Sequence, residues 1–538
     1  MRWKIWTLCT WLAEIHIQPE NPDLLKLPGR DLSSPRLETD VVIIGGGNGA
    51  ACTAARLKAL GVDSIMLERN AHAGDNWALR YDSLRFHIPT SICHMPYLPY
   101  PAEFQTPGRL TRDALANHLR LYIQTFHLNL LTSSKIQSTT YNTTTKLWEV
   151  SFYIDSNLNG GADSDGVTVL RTITAKHLVQ ATGIASQKAY LPDLPNRDLY
   201  RGVSIHSNSY RNASTLLSSL GPLSPDHNMN PDGNHARDQD QDCKKGKTSI
   251  LIIGSANTAF DILTDLTDHS SLPELSVTMS VRSSTYIVPE SYFFQPIGLG
   301  MFDALPTAAA DILSQTGPMV VDGHLMGNLL HHLALSEPER YAPLRQIGFP
   351  VTDSADISES LICNLVERAG GHYVDIGGTV PLEQKKAGFV TGTPVEWTER
   401  GLKYADGKVV EADGVVWCTG FADQNVRDTL SEILGDNSSS SSSQGEKGEK
   451  PEQGEGREGE EVLGAKEIAA RAEATWGVDA EGEIRGMWKR HERMERFWVM
   501  GGGTGHHRWF SQFVAMQIRL DLEGLLPEAY RETRDSYD

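Results

Sequence analysis

The sequence predicts an α/β chain of two Rossmann-like dinucleotide-binding domains, and three observations carry that reading. Residues 41–57 run from a β-branched apolar strand through a glycine-rich turn into a small-residue helix. The same order of strand, small-residue turn and helix returns from Ser249 onward. Each unit is followed by a further apolar strand, 64–67 and 276–281, whose end carries a polar side chain suited to a ribose. Strand–helix alternation of this kind builds parallel sheets with right-handed crossovers, arranged as three layers.

At 538 residues the chain exceeds one ordinary domain. Hydrophobic residues make up 40% and charged residues 22%, which excludes a disordered or fibrous protein. A net charge of −19 argues against nucleic-acid and anionic-membrane partners. No apolar run reaches the ~18–20 residues needed to cross a bilayer, so stable membrane insertion is not expected. Six scattered cysteines, without CxxC or zinc spacing, argue against a disulfide scaffold, a zinc module and a dithiol redox enzyme. The expected location is cytoplasmic, with secretion or membrane-surface association the lesser reading.

The chain opens with an extension and linker, 1–37. Arg2 and Lys4 precede a short apolar run broken by Trp3, Trp6 and Trp11, with no small-x-small cleavage site after it. That pattern suits an amphipathic helix docking on the body, or the remnant of an upstream domain, better than a signal peptide. The first nucleotide turn is Gly45-Gly46-Gly47-Asn48-Gly49-Ala50. Gly45 makes the tight turn, Gly47 lets backbone approach a pyrophosphate, and Ala50 allows close helix packing. The helix N-terminus offers N–H groups to the phosphates, and Glu68 ends the next strand where a carboxylate can accept the ribose hydroxyls. Such an acid disfavours a 2′-phosphate, so an adenosine of FAD or NAD fits this site; with a second site downstream, the reading is FAD here.

The second turn is Gly254-Ser255-Ala256-Asn257-Thr258-Ala259, with Ala256 in the central glycine position. Its following strand ends in Arg282, Ser283 and Ser284. A guanidinium beside hydroxyls is what a 2′-phosphate requires, which points to NADPH; a surface salt bridge is the plain alternative for Arg282.

Gly74-Asp75-Asn76-Trp77 with Arg80-Tyr81-Asp82-Ser83-Leu84-Arg85-Phe86-His87 resembles the GxxW…RYDSLRLH segment of class B flavin-dependent monooxygenases, in wording closest to the YUCCA-type enzymes and their fungal relatives. Tyr200-x-Gly202-x-x-x-His206-x-x-x-Tyr210 resembles their FxGxxxHxxx(F/Y) fingerprint, with Tyr leading. Ala181-Thr182-Gly183 and Cys418-Thr419-Gly420-Phe421 resemble the two crossover motifs, and 370–375 and the tail from Gly501 read like the fungal branch. The resemblance runs from about Asp40 to Pro527.

It implies an NADPH- and FAD-dependent monooxygenase in which a C4a-(hydro)peroxyflavin formed from O2 passes one oxygen to a small organic substrate. Gly45, Gly47, Asn48, Ala50, Glu68, Arg69, Trp77, Gly420 and Arg508 are then expected around FAD. Gly254, Ser255, Ala256, Asn257, Ala259, Arg282 and Ser283 are expected around NADPH. By the same resemblance 80–89 runs beneath the isoalloxazine, with His87 and Thr90 in reach of the reacting edge as catalytic candidates. His206 reads equally as a linker anchor, and Asp82 and Arg85 as a mutual pair. The turn 501–505 can aim a helix N-terminus at the flavin or merely let the last helix pack. No metal site is expected.

Tyr210, where type I Baeyer–Villiger enzymes carry Trp, favours oxygenation of an N-, S- or C-nucleophile over lactone formation. An N,N-dimethylaniline-like or indole-pyruvate-like keto-acid substrate follows, with Arg340, Arg345 and Arg368 as candidate carboxylate anchors. The alternatives are an NADPH oxidase or reductase that releases peroxide, and a non-catalytic flavoprotein. The FAD domain is expected at 38–190 and 385–538 and the NADPH domain at 191–384. A polar loop at 221–247 and an acidic Ser/Gly/Glu stretch at 436–461 are expected insertions, the second disordered.

Overall fold

The computed structural model describes residues 20–104, 109–154, 169–183, 188–220, 248–268, 275–361, 363–367, 370–421, 426–436, 461–475 and 477–529. The expected N-terminal helix, the 221–247 loop, Arg368 and all but the ends of 436–461 lie outside them.

The first sheet forms around strand Arg36–Ile44, whose Val41, Val42, Ile43 and Ile44 are buried on both faces as a parallel centre strand requires. It pairs in parallel with Ser64–Leu67 on one side and Leu170–Gln180 on the other. Leu170–Gln180 serves two further partners along its eleven residues. Its first half pairs antiparallel with Leu147–Ile154, and its last three residues pair in parallel with Phe497–Val499 near the C-terminus. A strand more than three hundred residues away in sequence thereby joins the sheet. Helix Asn48–Ala59 packs beneath it through Ala50, Ala51, Ala54 and Ala55, all nearly fully buried. The last helix, Thr504–Leu522, lies against that helix, with Met500 and His507 facing Gly49.

The second sheet is fully parallel, in the order Gly388–Thr391, Leu275–Val281, Thr248–Ile253, Gly414–Trp417 and Val203–His206. Helix Asn257–Asp268 covers it, burying Ala259, Phe260, Ile262, Leu263 and Leu266. Two small sheets flank it: one parallel, built on Thr285–Pro289, and one antiparallel, built on Gly401–Tyr404.

This corrects the expected domain boundary at 385. The stretch 388–417 adds two strands to the second sheet, and the chain returns to the first only after Cys418. The physical reason is that Gly414–Trp417 is a buried Val/Trp run that fits between two parallel partners, which the second sheet supplies.

Charged and polar contacts fasten the two domains. Tyr81 donates to Asp261 at 2.6 Å, Arg109 forks onto Glu290, and Asn212 Nδ2 donates to Asp82 at 2.6 Å. Among the described residues, no helix is long and apolar enough to cross a membrane.

Candidate dinucleotide sites

Both glycine turns are closed by one device. Gly45 has φ +114°, a conformation glycine adopts freely, and a Cβ there would stand 2.3 Å from the carbonyl oxygen of Ala181. Gly254 has φ +119°, and its Cβ would stand 2.5 Å from the carbonyl oxygen of Cys418. In each case the crossover residue donates its N–H to the residue before the glycine: Ala181 to Ile44 and Cys418 to Ile253, both at 2.8 Å. The crossover motifs at 181–183 and 418–420 therefore press on the two turns and leave no room for a side chain.

At the first turn, Glu68 is buried and bonded at both oxygens: Oε2 accepts Gly46 N–H and Oε1 accepts Asn70 N–H, each at 2.8 Å. A carboxylate oxygen holds two lone pairs, so both keep capacity for a ribose hydroxyl while they shape the loop. Asn48 and Ala50 are buried at the helix start, and no side chain caps it. A buried, uncapped helix N-terminus calls for an anionic partner, which a dinucleotide pyrophosphate provides. Beside Gly47 a Cβ would meet only Asn76, at 3.5 Å, so the backbone stays approachable there. Trp77 Nε1 donates to Asn48 Oδ1 at 2.8 Å and orients that side chain, whereas Arg69 is exposed next to Glu68.

At the second turn, Ser255 shares a 2.5 Å hydroxyl contact with Thr285, and Ala256 accepts the N–H groups of Ala259 and Phe260. Ala259 is fully buried against the sheet. Arg282 and Ser283 are exposed just past the end of Leu275–Val281, where a 2′-phosphate would need them.

Arg508 is engaged within the protein. Its guanidinium forks onto Asp311 at 2.8 and 2.6 Å and donates to the carbonyls of Ile92 and His94 at 2.6 and 2.8 Å, so it is consumed in locking the last helix. His87 lies against the start of the second glycine helix, 3.2 Å from Asn257 and 3.2 Å from Asp261. Asp82 pairs with Arg112 and Arg211 instead of Arg85.

Thr90 is buried in a short turn, Thr90–Cys93, which the N-terminus of the last helix covers through Thr504 and Gly505. Gly501 lies against Gly183 O, so the 501–505 turn does let the helix pack against the first crossover. Burial lowers His507 to about 3 and His506 to about 4, which keeps both rings neutral beside that helix start.

The fingerprint residues fasten the inter-domain stretch. His206 accepts Asn208 N–H at Nδ1 and donates from Nε2 to Gly420 O at 2.9 Å, the role of a linker anchor. Gly420 also accepts Tyr190 N–H. Tyr200 donates to Ala412 O at 2.9 Å and Tyr210 to Asp265 at 2.5 Å. The hydroxyl of buried Tyr210 is thus held by Asp265. Arg340 and Arg345 are paired with Glu337 and Asp353.

Sequence reasoning passed over Asp261, Asp311 and Glu290. Asp261 had a signal: it interrupts an apolar helix face exactly one turn after Asn257, and i, i+4 residues share a face.

No protein-family profile matches the chain. It is 24% identical over 392 residues to the probable indole-3-pyruvate monooxygenase YUCCA4 of Arabidopsis thaliana, covering 73% of this chain and 77% of that enzyme. It is likewise 24% identical over 383 residues to the indole-3-pyruvate monooxygenase YUCCA1 of Oryza sativa subsp. japonica, covering 71% and 76%. Among solved structures, cyclohexanone monooxygenase from Rhodococcus sp. Phi1 bound to NADP+ shares the fold, with a TM-score of 0.52 at 15% identity over 91% of this chain and 85% of that one. The resemblance to class B flavin-dependent monooxygenases therefore holds in sequence and in fold, and it implies a flavin cofactor.

Proposed function

We propose that this flavin-dependent monooxygenase holds FAD at the turn from Gly45 to Ala50 and NADPH at the turn from Gly254 to Ala259, and places one oxygen atom of O2 on a small organic substrate. The observation that carries this reading is the paired geometry: two glycine turns, each pressed by a crossover carbonyl, one ending in buried Glu68 and the other in exposed Arg282.

Bound FAD would accept a hydride equivalent from NADPH and pass the electrons to O2, chemistry that no side chain can supply. The chain's own residues bind and orient. Glu68 shapes the first loop and takes the adenosine ribose. The Asn48–Ala59 helix directs its N-terminal N–H groups at the pyrophosphate, with Trp77 holding Asn48 in place. Arg282 and Ser283 bind the 2′-phosphate by charge-assisted hydrogen bonds. The buried turn Thr90–Cys93 and the last helix exclude water from the flavin side.

The substrate class is a nucleophilic centre or a 2-keto acid; the names of the sequence relatives support the latter. The free thiols Cys52, Cys93 and Cys418 suit a reducing, cytoplasmic setting. The test follows NADPH consumption, peroxide and oxygenated product together, with indole-3-pyruvate and N,N-dimethylaniline as trial substrates. Product formed in step with NADPH supports the monooxygenase. Peroxide equal to NADPH with every substrate would favour the oxidase instead, and protein purified without flavin would overturn the reading of the first turn.

A further inference from the structure

His87 bridges the two domains at a point that neither dinucleotide assignment accounts for. Asn257 opens the second glycine helix, and the backbone fixes its carboxamide: Oδ1 accepts Val374 N–H at 2.8 Å. Its Nδ2 lies 3.5 Å from Nε2 of His372, a ring that burial keeps neutral by lowering it to about 4. With Oδ1 an acceptor, the His87 Nδ1 that faces it at 3.2 Å has to carry a proton. The other ring nitrogen, Nε2, stands 3.2 Å from Oδ1 of Asp261, whose Oδ2 is already taken by the Tyr81 hydroxyl. A bare lone pair on either nitrogen would face an oxygen in a buried site; Nε2 meets Asp261 as a 3.2 Å charge contact without hydrogen-bond geometry, and that carboxylate favours the imidazolium.

A further acidic neighbour agrees with that charge. Glu290, gripped by Arg109, adds a further negative group. Burial pulls His87 toward neutrality, but the carboxylate of Asp261 outweighs it and raises the group above its ordinary value.

We propose that His87, supplied by the first domain, is a positioning residue for the second dinucleotide site: as the imidazolium it holds Asn257, and with it the first turn of the helix that receives the pyrophosphate. This rests on the assignment of NADPH to the Gly254–Ala259 turn. On losing one proton the ring keeps the other on Nε2, because the Asp261 carboxylate carries a full charge. The lone pair left on Nδ1 then opposes Asn257 Oδ1, and the loop loosens. The titration of a first-domain histidine is thereby written into dinucleotide affinity.

The test measures the Kd of NADP+ by calorimetry on the flavin-loaded full chain from pH 6 to 9, for wild type, His87→Gln and His87→Ala. The 2′-phosphate's own titration is common to all three and cancels in the comparison. In the wild type, affinity should fall as pH rises through the His87 pKa. His87→Gln keeps an N–H donor for Asn257 and should bind like the low-pH wild type, without the His87-dependent fall. His87→Ala should bind about tenfold more weakly at pH 6, with flavin content unchanged. If His87→Ala does not fold, the Gln variant decides alone. A Gln variant whose NADP+ affinity keeps the wild-type pH profile overturns the inference. A wild type that binds no NADP+ overturns the underlying assignment and this inference with it.

Discussion

The carbonyl oxygen of Ala181 lies where a side chain on Gly45 would begin, 2.3 Å from the position of its Cβ. The crossover strand end and the nucleotide turn are thus packed backbone to backbone, and Cys418 repeats the arrangement at Gly254. Neither backbone can yield without opening its sheet.

Gly45→Ala and Gly254→Ala should separate the two sites. The first should yield protein with little flavin, read from the ratio of visible to 280 nm absorbance. The second should keep flavin and lose NADP+ binding in calorimetry. Flavin retained in Gly45→Ala would mean that the first turn is not the flavin site.

Arg282→Ala should raise the KM for NADPH at least about tenfold and leave that for NADH nearly unchanged, since only the former carries the 2′-phosphate. Equal effects on both would return Arg282 to the role of an ordinary surface charge.

Arg508 and Asp311 form a fully buried ion pair that joins the last helix to helix Thr307–Gln315. Removing one partner strands a charge, so Arg508→Met should cost about 3–5 kcal/mol in urea unfolding. Adding Asp311→Leu should recover part of that loss. A single variant of full stability that had lost its flavin would restore Arg508 as a cofactor contact.

Glu483 is buried, which raises its carboxyl to about 7 despite Lys489 nearby. Its folded-state pKa lies above the unfolded value, so the native state holds the extra proton and stability falls as pH rises from about 4.5 through 7. Glu483→Gln removes that dependence and should raise Tm at pH 8 relative to wild type, with a much smaller gain at pH 5. An equal gain at both values would show that ionisation of Glu483 is not the cause.

Much of the site was legible because its determinants are local. Strand 41–44, the turn at Gly45 and the alanine-rich helix follow one another within twenty residues, and the φ values near +115° that the turns adopt are the reason glycine stands at each. The second copy could be read for the same cause, even with Ala256 in the central position. His206 was open between two roles until its ring nitrogens were seen bonded to Asn208 and Gly420.

The sequence by itself determined the two dinucleotide turns, the acid and the arginine that follow them, and the α/β class, because periodicity and backbone stereochemistry act over short stretches. Only the tertiary structure decided which partner each buried polar group takes. Arg508 finds Asp311 across 197 positions and His87 finds Asn257 across 170, and the strand Gly414–Trp417 joins the second sheet between two distant neighbours. Buried charges and unpaired strand edges must be satisfied somewhere, but the identity of the satisfying group depends on which surfaces the completed fold presses together.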